Sequence, residues 1–552
     1  MPLPGGCFFA GYAEYILMSD SNMRDIKTKL TKSKSRTQNT IYNFVTSIGG
    51  QILTILVQFV VRTVFIRTLG KSYLGINGLF SNILTMLSLA ELGVGSAILF
   101  KLYDPLAKGD HHRITLLMRL YKNIYRVIGL VIFTVGVALI PLLPVLIRDY
   151  ANLAKLHISA EIVFILYLIK SVSSYLFFAY KSAIIKADQK QYLINITSYL
   201  FTIILGILQI VSLLLTRNFH VYILIDVAII ILQNIVVARF ADQLYPYIND
   251  KTDDAISKQE IKGLFKDCAA IMLYNINSVV VKATDNIVLS MFLGLGAVGL
   301  YSNYYIFYTS IRSVFTKIFN SVSHSIGNLH AADQPEHEYE VFESVILISA
   351  ILGGVAFAGI FAVADEFVET WIGKEWVIAQ PLAFLMGLEL YTTAFRMSIS
   401  KFRSSMGLFQ QAKYRPVAGM LINIVVSVAL VNVWGICGVL VGTIASDWLT
   451  FMWFDPLILH QYGFKNGASV KRYYGKFLKY VLVVLLTGTA DFLICRHFLC
   501  GFGWFSVAVH ALICAVTVPG AILLVSWKTP EGQYVFRLGR RELSRITKRL
   551  TR

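Results

Sequence analysis

"TLGKSYLGINGLFSNILTML" (68–87) and "FLGLGAVGLYSNYYIFYTSI" (292–311) are two versions of one pattern. Leu69-Gly70 and Gly75 of the first copy align with Leu293-Gly294 and Gly299 of the second at a constant offset of 224 residues. Each copy also carries a Ser-Asn pair. Six predicted membrane spans separate the copies, so both halves of the chain cross in the same sense. Parallel repeats of this kind occur in transporters whose substrate site lies between the halves, although channels and receptors can also be repetitive.

The composition indicates a helical membrane protein. The 552 residues are 56% hydrophobic and only 15% charged, with a mean hydropathy of +0.63, whereas soluble domains carry about 25% charged residues. Continuous apolar runs of about 20 residues predict transmembrane helices. We place fourteen of them at 41–66, 75–100, 123–147, 159–180, 192–216, 219–238, 267–292, 297–323, 342–364, 380–400, 416–433, 435–458, 480–495 and 503–527.

The net charge of +18 is explained by topology. With both termini inside, the inner tails and loops hold 36 of the 50 Lys and Arg residues, and the outer loops hold 7. This is the positive-inside pattern of a multi-pass membrane protein with many short loops, and nucleic acid is not needed as a partner. The basic tail "RLGRRELSRITKRLTR" (537–552) is expected to lie on anionic membrane lipids.

These features divide the chain into two six-helix bundles with additional segments. The predicted order is a cytoplasmic N-terminal tail (1–40), a first bundle (41–241), a cytoplasmic linker (242–266), a second bundle (267–458), two additional helices (480–527) and a cytoplasmic tail (528–552). Residues 1–22 resemble neither a signal peptide nor a span, so we expect translation to start at Met18 or Met23. The six cysteines have no metal-ligand spacing and predict neither metal nor cofactor, and whether Cys495 and Cys500 pair is left open.

The first span separates two arginines by helical phase. At about 100° per residue, Arg62 lies on one polar stripe with Gln51 and Gln58, whereas Arg67 lies on the opposite side near the outer interface. Ionisable side chains within a span usually face protein or water. Arg62 is therefore a candidate substrate ligand, and Arg67 is most simply an interface anchor.

Other spans carry similar stripes. Arg312 shares a face of the eighth span with Tyr305 and Tyr308, a combination that suits a sugar phosphate but also suits plain helix packing. Lys170 and Arg396 lie on polar stripes of the fourth and tenth spans, which are equivalent in the repeat. Three intramembrane acids are candidates for proton or sodium coupling: Glu91, Asp285 and Glu389. Asp285 could equally neutralise Lys282 on the same helix.

Buried acids and cations nearly balance, but Arg62 and Arg312 have no carboxylate on their own face. A guanidinium matches phosphate oxygens bidentately, which favours an anionic headgroup as ligand.

The chain resembles the multidrug/oligosaccharidyl-lipid/polysaccharide (MOP) superfamily, and more narrowly its Wzx-type flippases. The resemblance covers roughly residues 40–527 and rests on the repeat, the two extra C-terminal spans and "VRTVFIRTLGKSYLGINGLFSNILTMLSLAELGVGSAILFKLY" (61–103). It implies a MATE-like, all-α fold with a V-shaped pair of bundles. It also implies export of an undecaprenyl-diphosphate-linked oligosaccharide by alternating access, with Arg62 and Arg312 on the diphosphate and the tyrosines on the sugars. Polymerase or export machinery for surface polysaccharide is a possible partner.

Other functions stay open at this point. A cation-coupled multidrug exporter and a lipid II or teichoic acid flippase belong to the same superfamily. A membrane glycosyl polymerase or ligase normally needs a large outer catalytic loop, and the outer loops here are short, so we expect a non-enzyme. A membrane scaffold leaves the polar stripes within the spans unexplained.

Overall fold

The computed structural model describes residues 36–537, except 89–90, 154–158, 177, 251, 253, 255, 332–333, 379–380, 409, 413 and 498–500. Within the helices, side chains are not described at 36–45, 47–48, 92–93, 96, 267, 269–278, 282, 321–325, 328 and 331. The start-site prediction, the basic tail from residue 538, Cys500 and the Lys282 side chain therefore lie outside the described residues.

The described residues form helices and no strands, which confirms the all-α prediction. The main helices are α1 (Arg36–Leu69), α2 (Lys71–Leu87), α3 (Glu91–Lys108), α4 (His111–Leu139), α5 (Ala160–Leu176), α6 (Gln191–Thr216), α7 (Phe219–Leu244), α8 (Lys258–Leu293), α9 (Leu295–Ala331), α10 (Pro335–Ile372), α11 (Pro381–Ser405), α12 (Arg415–Trp434), α13 (Ile436–Ser446), α14 (Val470–His497) and α15 (Trp504–Ser526).

Each of the fourteen predicted spans falls on one helix or on a run of consecutive helices. In the described part of the chain, nine helices are long and apolar enough to cross a membrane, and a tenth is obtained if Ala160–Leu176 and Ala179–Ala187, which meet at 47°, form one span. The exposed side chains on the outsides of these helices are largely Leu, Val, Ile and Phe, as expected for surfaces that face lipid.

Two further predicted spans are also less regular than the sequence suggested. The second consists of two helices, α2 and α3, because the first ends at Leu87 and the next begins at Glu91. The twelfth starts as α13 and continues through a π-helical turn (Asp447–Phe451), a short α-helix (Met452–Ile458) and a second π-helical turn (Leu459–Gly463).

The repeated motifs meet in the structure. Gly70 and Gly294, with φ of 87° and 86°, lie directly before α2 and α9, a backbone conformation that favours glycine. A Cβ at Gly75 would lie 2.1 Å from the carbonyl oxygen of Leu295, and a Cβ at Gly299 would lie 2.4 Å from that of Lys71. Gly75 and Gly299 are 224 residues apart, and so are Lys71 and Leu295, so the two contacts are equivalent under the repeat. The glycines thus allow α2 and α9 to cross at backbone distance.

The two C-terminal helices pack against α10. Phe361 of α10 stacks on Phe492 of α14, with ring centroids 4.5 Å apart. At the other end of the same helices, Lys476 of α14 bridges the carboxylates of Glu343 (2.7 Å) and Glu531 (2.9 Å), and Glu531 is 1% exposed. This buried ion cluster joins α10 and α14 to the segment that follows α15. The thiols of Cys495 and Cys514 contact each other across this helix pair.

Candidate functional site

A cavity of about 510 Å³ lies where the two copies of the repeat meet. Its walls come from α1, α2 and α5–α7, together with single faces of α8 and α9. Its charged and amide side chains are Gln58, Arg62, Asn77, Asn82, Lys170, Gln209, Asp226 and Asn286. A polar cavity of this size between helices of both halves is the natural candidate for a ligand site.

Arg62 links the two halves across this cavity. Its Nε and one terminal nitrogen donate to Asn303 Oδ1 at 3.0 and 2.9 Å, and the same terminal nitrogen donates to Ser302 Oγ at 2.5 Å. Ser302 and Asn303 are the Ser-Asn pair of the second repeat copy. Both partners are neutral, and no carboxylate of the described residues forms an ion pair with Arg62. Its positive charge is therefore not cancelled by a neighbour.

The other arginine of the first span has a different environment. Arg67 is exposed in the last turn of α1 and does not line the cavity. Helical phase in the sequence separated the two arginines in the same way. Gln58 lines the cavity one turn before Arg62, whereas Gln51 accepts a hydrogen bond from Lys317 of α9 at 3.5 Å.

Lys170 lines the same cavity but is paired. Its ammonium group lies 2.5 Å from Asp226 Oδ2 of α7, so the pair bridges α5 and α7. One turn away on α5, the Tyr167 hydroxyl donates to Asn77 Oδ1 of α2 at 2.5 Å. Sequence reasoning named Lys170 and missed its tie to Asp226, since a contact between distant helices leaves no periodic signal.

A second cavity, of about 30 Å³, lies among α8, α9, α11 and the α13 region. Tyr305 lines both cavities and stacks on Tyr308 with centroids 5.4 Å apart. Arg312 lines this smaller cavity. In the described part of the chain its guanidinium forms no hydrogen bond or ion pair. The structure therefore places Arg62 and Arg312 in adjoining cavities that share a tyrosine wall.

The remaining polar groups of the small cavity are paired with each other. Tyr308 donates to Glu389 at 2.5 Å, and Arg396 donates to Asp447 at 2.8 Å. Asp285 is 6% exposed and accepts from Thr443 at 3.2 Å. Arg396 thus pairs with an acid of the twelfth span rather than with Glu389 on its own stripe.

Glu91 lies in a separate tyrosine cluster. Its two carboxylate oxygens accept hydrogen bonds from Tyr125 (2.7 Å) and Tyr175 (2.6 Å), and Tyr121 donates to Tyr125. The cluster joins α3, α4 and α5 beside the break between α2 and α3. Apart from Gln51, the predicted polar residues are therefore distributed over two cavities and this cluster.

Comparisons with known proteins agree with this architecture. A family model described as polysaccharide biosynthesis protein matches residues 127–381. A search of curated protein sequences returned no match.

Solved structures resemble the whole fold. The lipid II flippase MurJ in an inward closed conformation superposes with a TM-score of 0.61 at 15% identity, over 88% of this chain and 99% of that one. A multidrug resistance MATE family transporter of the MOP superfamily, in its inward-facing conformation, gives 0.57 at 14% identity over 75% and 98%. The Vibrio cholerae MATE transporter VcmN gives 0.51 at 13% identity over 78% and 100%. The chain is thus a multi-pass membrane protein with the fold of the MOP-superfamily flippases, as its resemblance to them implied, and its residues 127–381 match the polysaccharide biosynthesis family.

Proposed function

We propose that this protein is a flippase that moves a lipid-linked oligosaccharide, joined through a diphosphate, from the inner to the outer leaflet of the bacterial plasma membrane. Arg62 carries the proposal. It is a guanidinium in a polar cavity between the halves, and its described partners are neutral. A cation held in a low-dielectric site without a counter-charge attracts an anion strongly, and its fork suits phosphate.

The tyrosines beside Arg62 suit the sugar part of such a substrate. Tyr305 faces both cavities, and Tyr308 and Arg312 continue the same wall. Aromatic faces pack on apolar sugar surfaces, and phenol groups exchange hydrogen bonds with sugar hydroxyls. The diphosphate would lie at Arg62, with the glycan along this wall.

Alternating access is the transport mode that we propose for the two halves, 41–241 and 267–458. The end of the molecule where α1 leads into α2 is closed by the Gly75 and Gly299 contacts. With the N-terminus in the cytoplasm this is the outer end, so the closed contacts describe an inward-facing state. Rocking of the halves would separate these contacts and open the outer side.

Coupling to H⁺ or Na⁺ belongs to the same proposal. Asp285 accepts a hydrogen bond from Thr443, and Asn423 Nδ2 donates to Thr443 Oγ1 at 3.0 Å. The three side chains form an oxygen-rich group within the second half. Glu389 and Glu91 accept hydrogen bonds from tyrosines and are further candidates. These acids also keep a cation-coupled multidrug exporter as the second candidate function. A lipid II or teichoic acid flippase would differ in cargo alone.

The proposal predicts that Arg62→Ala abolishes export. In a strain that lacks the gene, lipid-linked repeat units should accumulate in the inner leaflet, and wild-type protein but not Arg62→Ala should restore surface polysaccharide. Arg312→Ala should reduce export to a smaller extent. Arg67→Ala is the matched control, since this exposed arginine of the same helix lies outside the cavity.

Full export by Arg62→Ala, at normal levels in the membrane, would refute the phosphate assignment. Increased drug susceptibility of the deletion strain, with normal surface polysaccharide, would favour the exporter.

A further inference from the structure

The internal repeat extends to ion pairs that the sequence alone does not reveal. Lys170 of α5 pairs with Asp226 of α7, and at the equivalent place in the second half Arg396 of α11 pairs with Asp447 at the end of α13. A second pair of equivalents lies beyond these positions in the chain: Lys181, in the turn after α5, pairs with Asp242 of α7 (2.5 Å), and Arg403 of α11 pairs with Asp455, in the short helix Met452–Ile458 (3.5 Å). Each half thus joins its fourth and sixth spans by two ion pairs.

The four pairs differ in what they face. Lys170 and Asp226 line the large cavity and keep 28% and 18% of their side-chain surface exposed. Arg396 and Asp447 border the small cavity, with 16% and 3% exposed. Lys181–Asp242 and Arg403–Asp455 line neither cavity. Among the described residues, Lys170–Asp226 is therefore the ion pair that a ligand in the large cavity can reach.

The charges in the large cavity set what it can bind. Its charged lining residues are Arg62, Lys170 and Asp226. Asp226 cancels Lys170 as long as the pair is intact, so Arg62 alone is available to an anion. A ligand with one phosphoryl group is served by Arg62 on α1. A ligand with two can reach Lys170 on the α5 side as well, provided that it displaces Asp226.

We propose that Asp226 is a specificity-determining residue. It keeps Lys170 in an ion pair, and a diphosphate displaces Asp226 from Lys170 more readily than a monophosphate does. The second phosphoryl group replaces one charge-assisted contact of Lys170 by another, whereas a single phosphoryl group at Arg62 leaves the ion pair undisturbed. The inference rests on the proposed function, because it assumes an anionic headgroup at Arg62. Asp226 acts through Lys170 and is a positioning residue.

Binding measurements on the purified full-length protein test this. Isothermal titration calorimetry would use farnesyl diphosphate, farnesyl phosphate and inorganic pyrophosphate as probes; the last separates a lipid headgroup from a free anion. The double variant Lys170→Gln/Asp226→Asn, which removes both charges of the pair, should weaken farnesyl diphosphate about tenfold and leave farnesyl phosphate unchanged. Asp226→Asn frees Lys170 and should tighten farnesyl phosphate about tenfold. Asp226→Glu should keep the wild-type pattern.

Asp242→Asn is the matched control, because it breaks the second ion pair of α7, which lies outside the cavity, and it should change neither affinity. Equal weakening of both farnesyl probes by the double variant, or unchanged farnesyl phosphate binding by Asp226→Asn, would overturn the inference while leaving the flippase proposal intact. If neither farnesyl probe binds the wild-type protein, or if Arg62→Ala binds both normally, the proposed function itself fails. Tight binding of pyrophosphate with no gain from the farnesyl chain would identify a soluble anion as the ligand and contradict the lipid assignment.

Discussion

The environment of each guanidinium decides its role. Arg62 has neutral hydrogen-bond partners and faces a cavity, Arg67 is exposed, and Arg403 is 1% exposed beside a carboxylate. In the last case Asp455 takes part in ion pairs with both Arg403 and Arg415, and the Arg415 guanidinium lies 3.9 Å from the centre of the Phe451 ring. Because this carboxylate is buried between two arginines, out of reach of solvent and ligand, its role is to stabilise the fold.

Asp455→Asn should therefore destabilise the protein strongly. The substitution leaves two buried cations without their counter-charge, which costs about 3–5 kcal/mol of unfolding free energy. Thermal unfolding in detergent should show a clear fall in Tm. Asp104→Asn is the control: Asp104 and Lys108 pair on the surface, 71% and 69% exposed, so its loss should change stability by less than about 1 kcal/mol. Similar melting of both variants would contradict this account.

The sequence could predict which polar residues face inward but not which residues they meet. Helical phase placed Arg62 and Gln58 on one face, and the structure puts both in the cavity wall. The contacts of Lys170 with Asp226 and of Arg62 with Asn303 join residues 56 and 241 positions apart. Such pairs depend on how helices pack, so a single sequence carries no signal for them.

At the scale of elements, glycine spacing determines how closely α2 and α9 approach. The first residues of each helix supply a carbonyl group to the glycine of the other, so both contacts depend on the absence of a side chain. The spans predicted from hydropathy did not show where helices are interrupted. One helix ends before Glu91, and a π-helical turn begins at Asp447, both inside apolar runs of continuous hydropathy. The hydrogen-bond partners of these two acids, Tyr125 and Arg396, lie on other helices.

Gly75→Ala and Gly299→Ala should each separate α2 from α9 at this end. The new methyl group would overlap a carbonyl oxygen, and forced repacking costs about 1–3 kcal/mol. We expect a lower Tm and impaired export for both variants. Gly296→Ala, in the same turn of α9 with no atom within 4 Å of the added Cβ, should retain wild-type behaviour. A stable, fully active Gly75→Ala protein would show that this contact does not close the interface.

At the scale of the whole molecule, α1 and α10 form a further bridge between the halves. The Trp371 indole N–H donates to Thr63 Oγ1 at 2.7 Å, and its ring stacks on Phe59 at 4.4 Å. Nearby, the Lys71 ammonium group donates to the Glu375 carbonyl oxygen at 2.6 Å. These contacts lie at the same end as the glycine crossing, so Trp371, Lys71 and the two glycines all join the halves there.

Trp371→Ala should make the cavity accessible from the outer face. With the native cysteines replaced, Gln58→Cys reports on the cavity wall. A membrane-impermeant thiol reagent should label it in inside-out vesicles and only weakly in right-side-out vesicles, and Trp371→Ala should raise the right-side-out labelling several-fold. Trp527→Ala, on an exposed tryptophan, is the control. Equal labelling from both faces in the starting protein would contradict a sealed outer end.

The hydrogen bonds of Arg62 have a consequence for the empty protein. They run from α1 to α9, so the guanidinium that we assign to the cargo also ties the two halves together when no cargo is bound. A headgroup that binds Arg62 must break these hydrogen bonds, whereas they persist in the protein without cargo. Binding of cargo would then release the contact that holds the halves together, and the same side chain would limit conformational cycling without cargo.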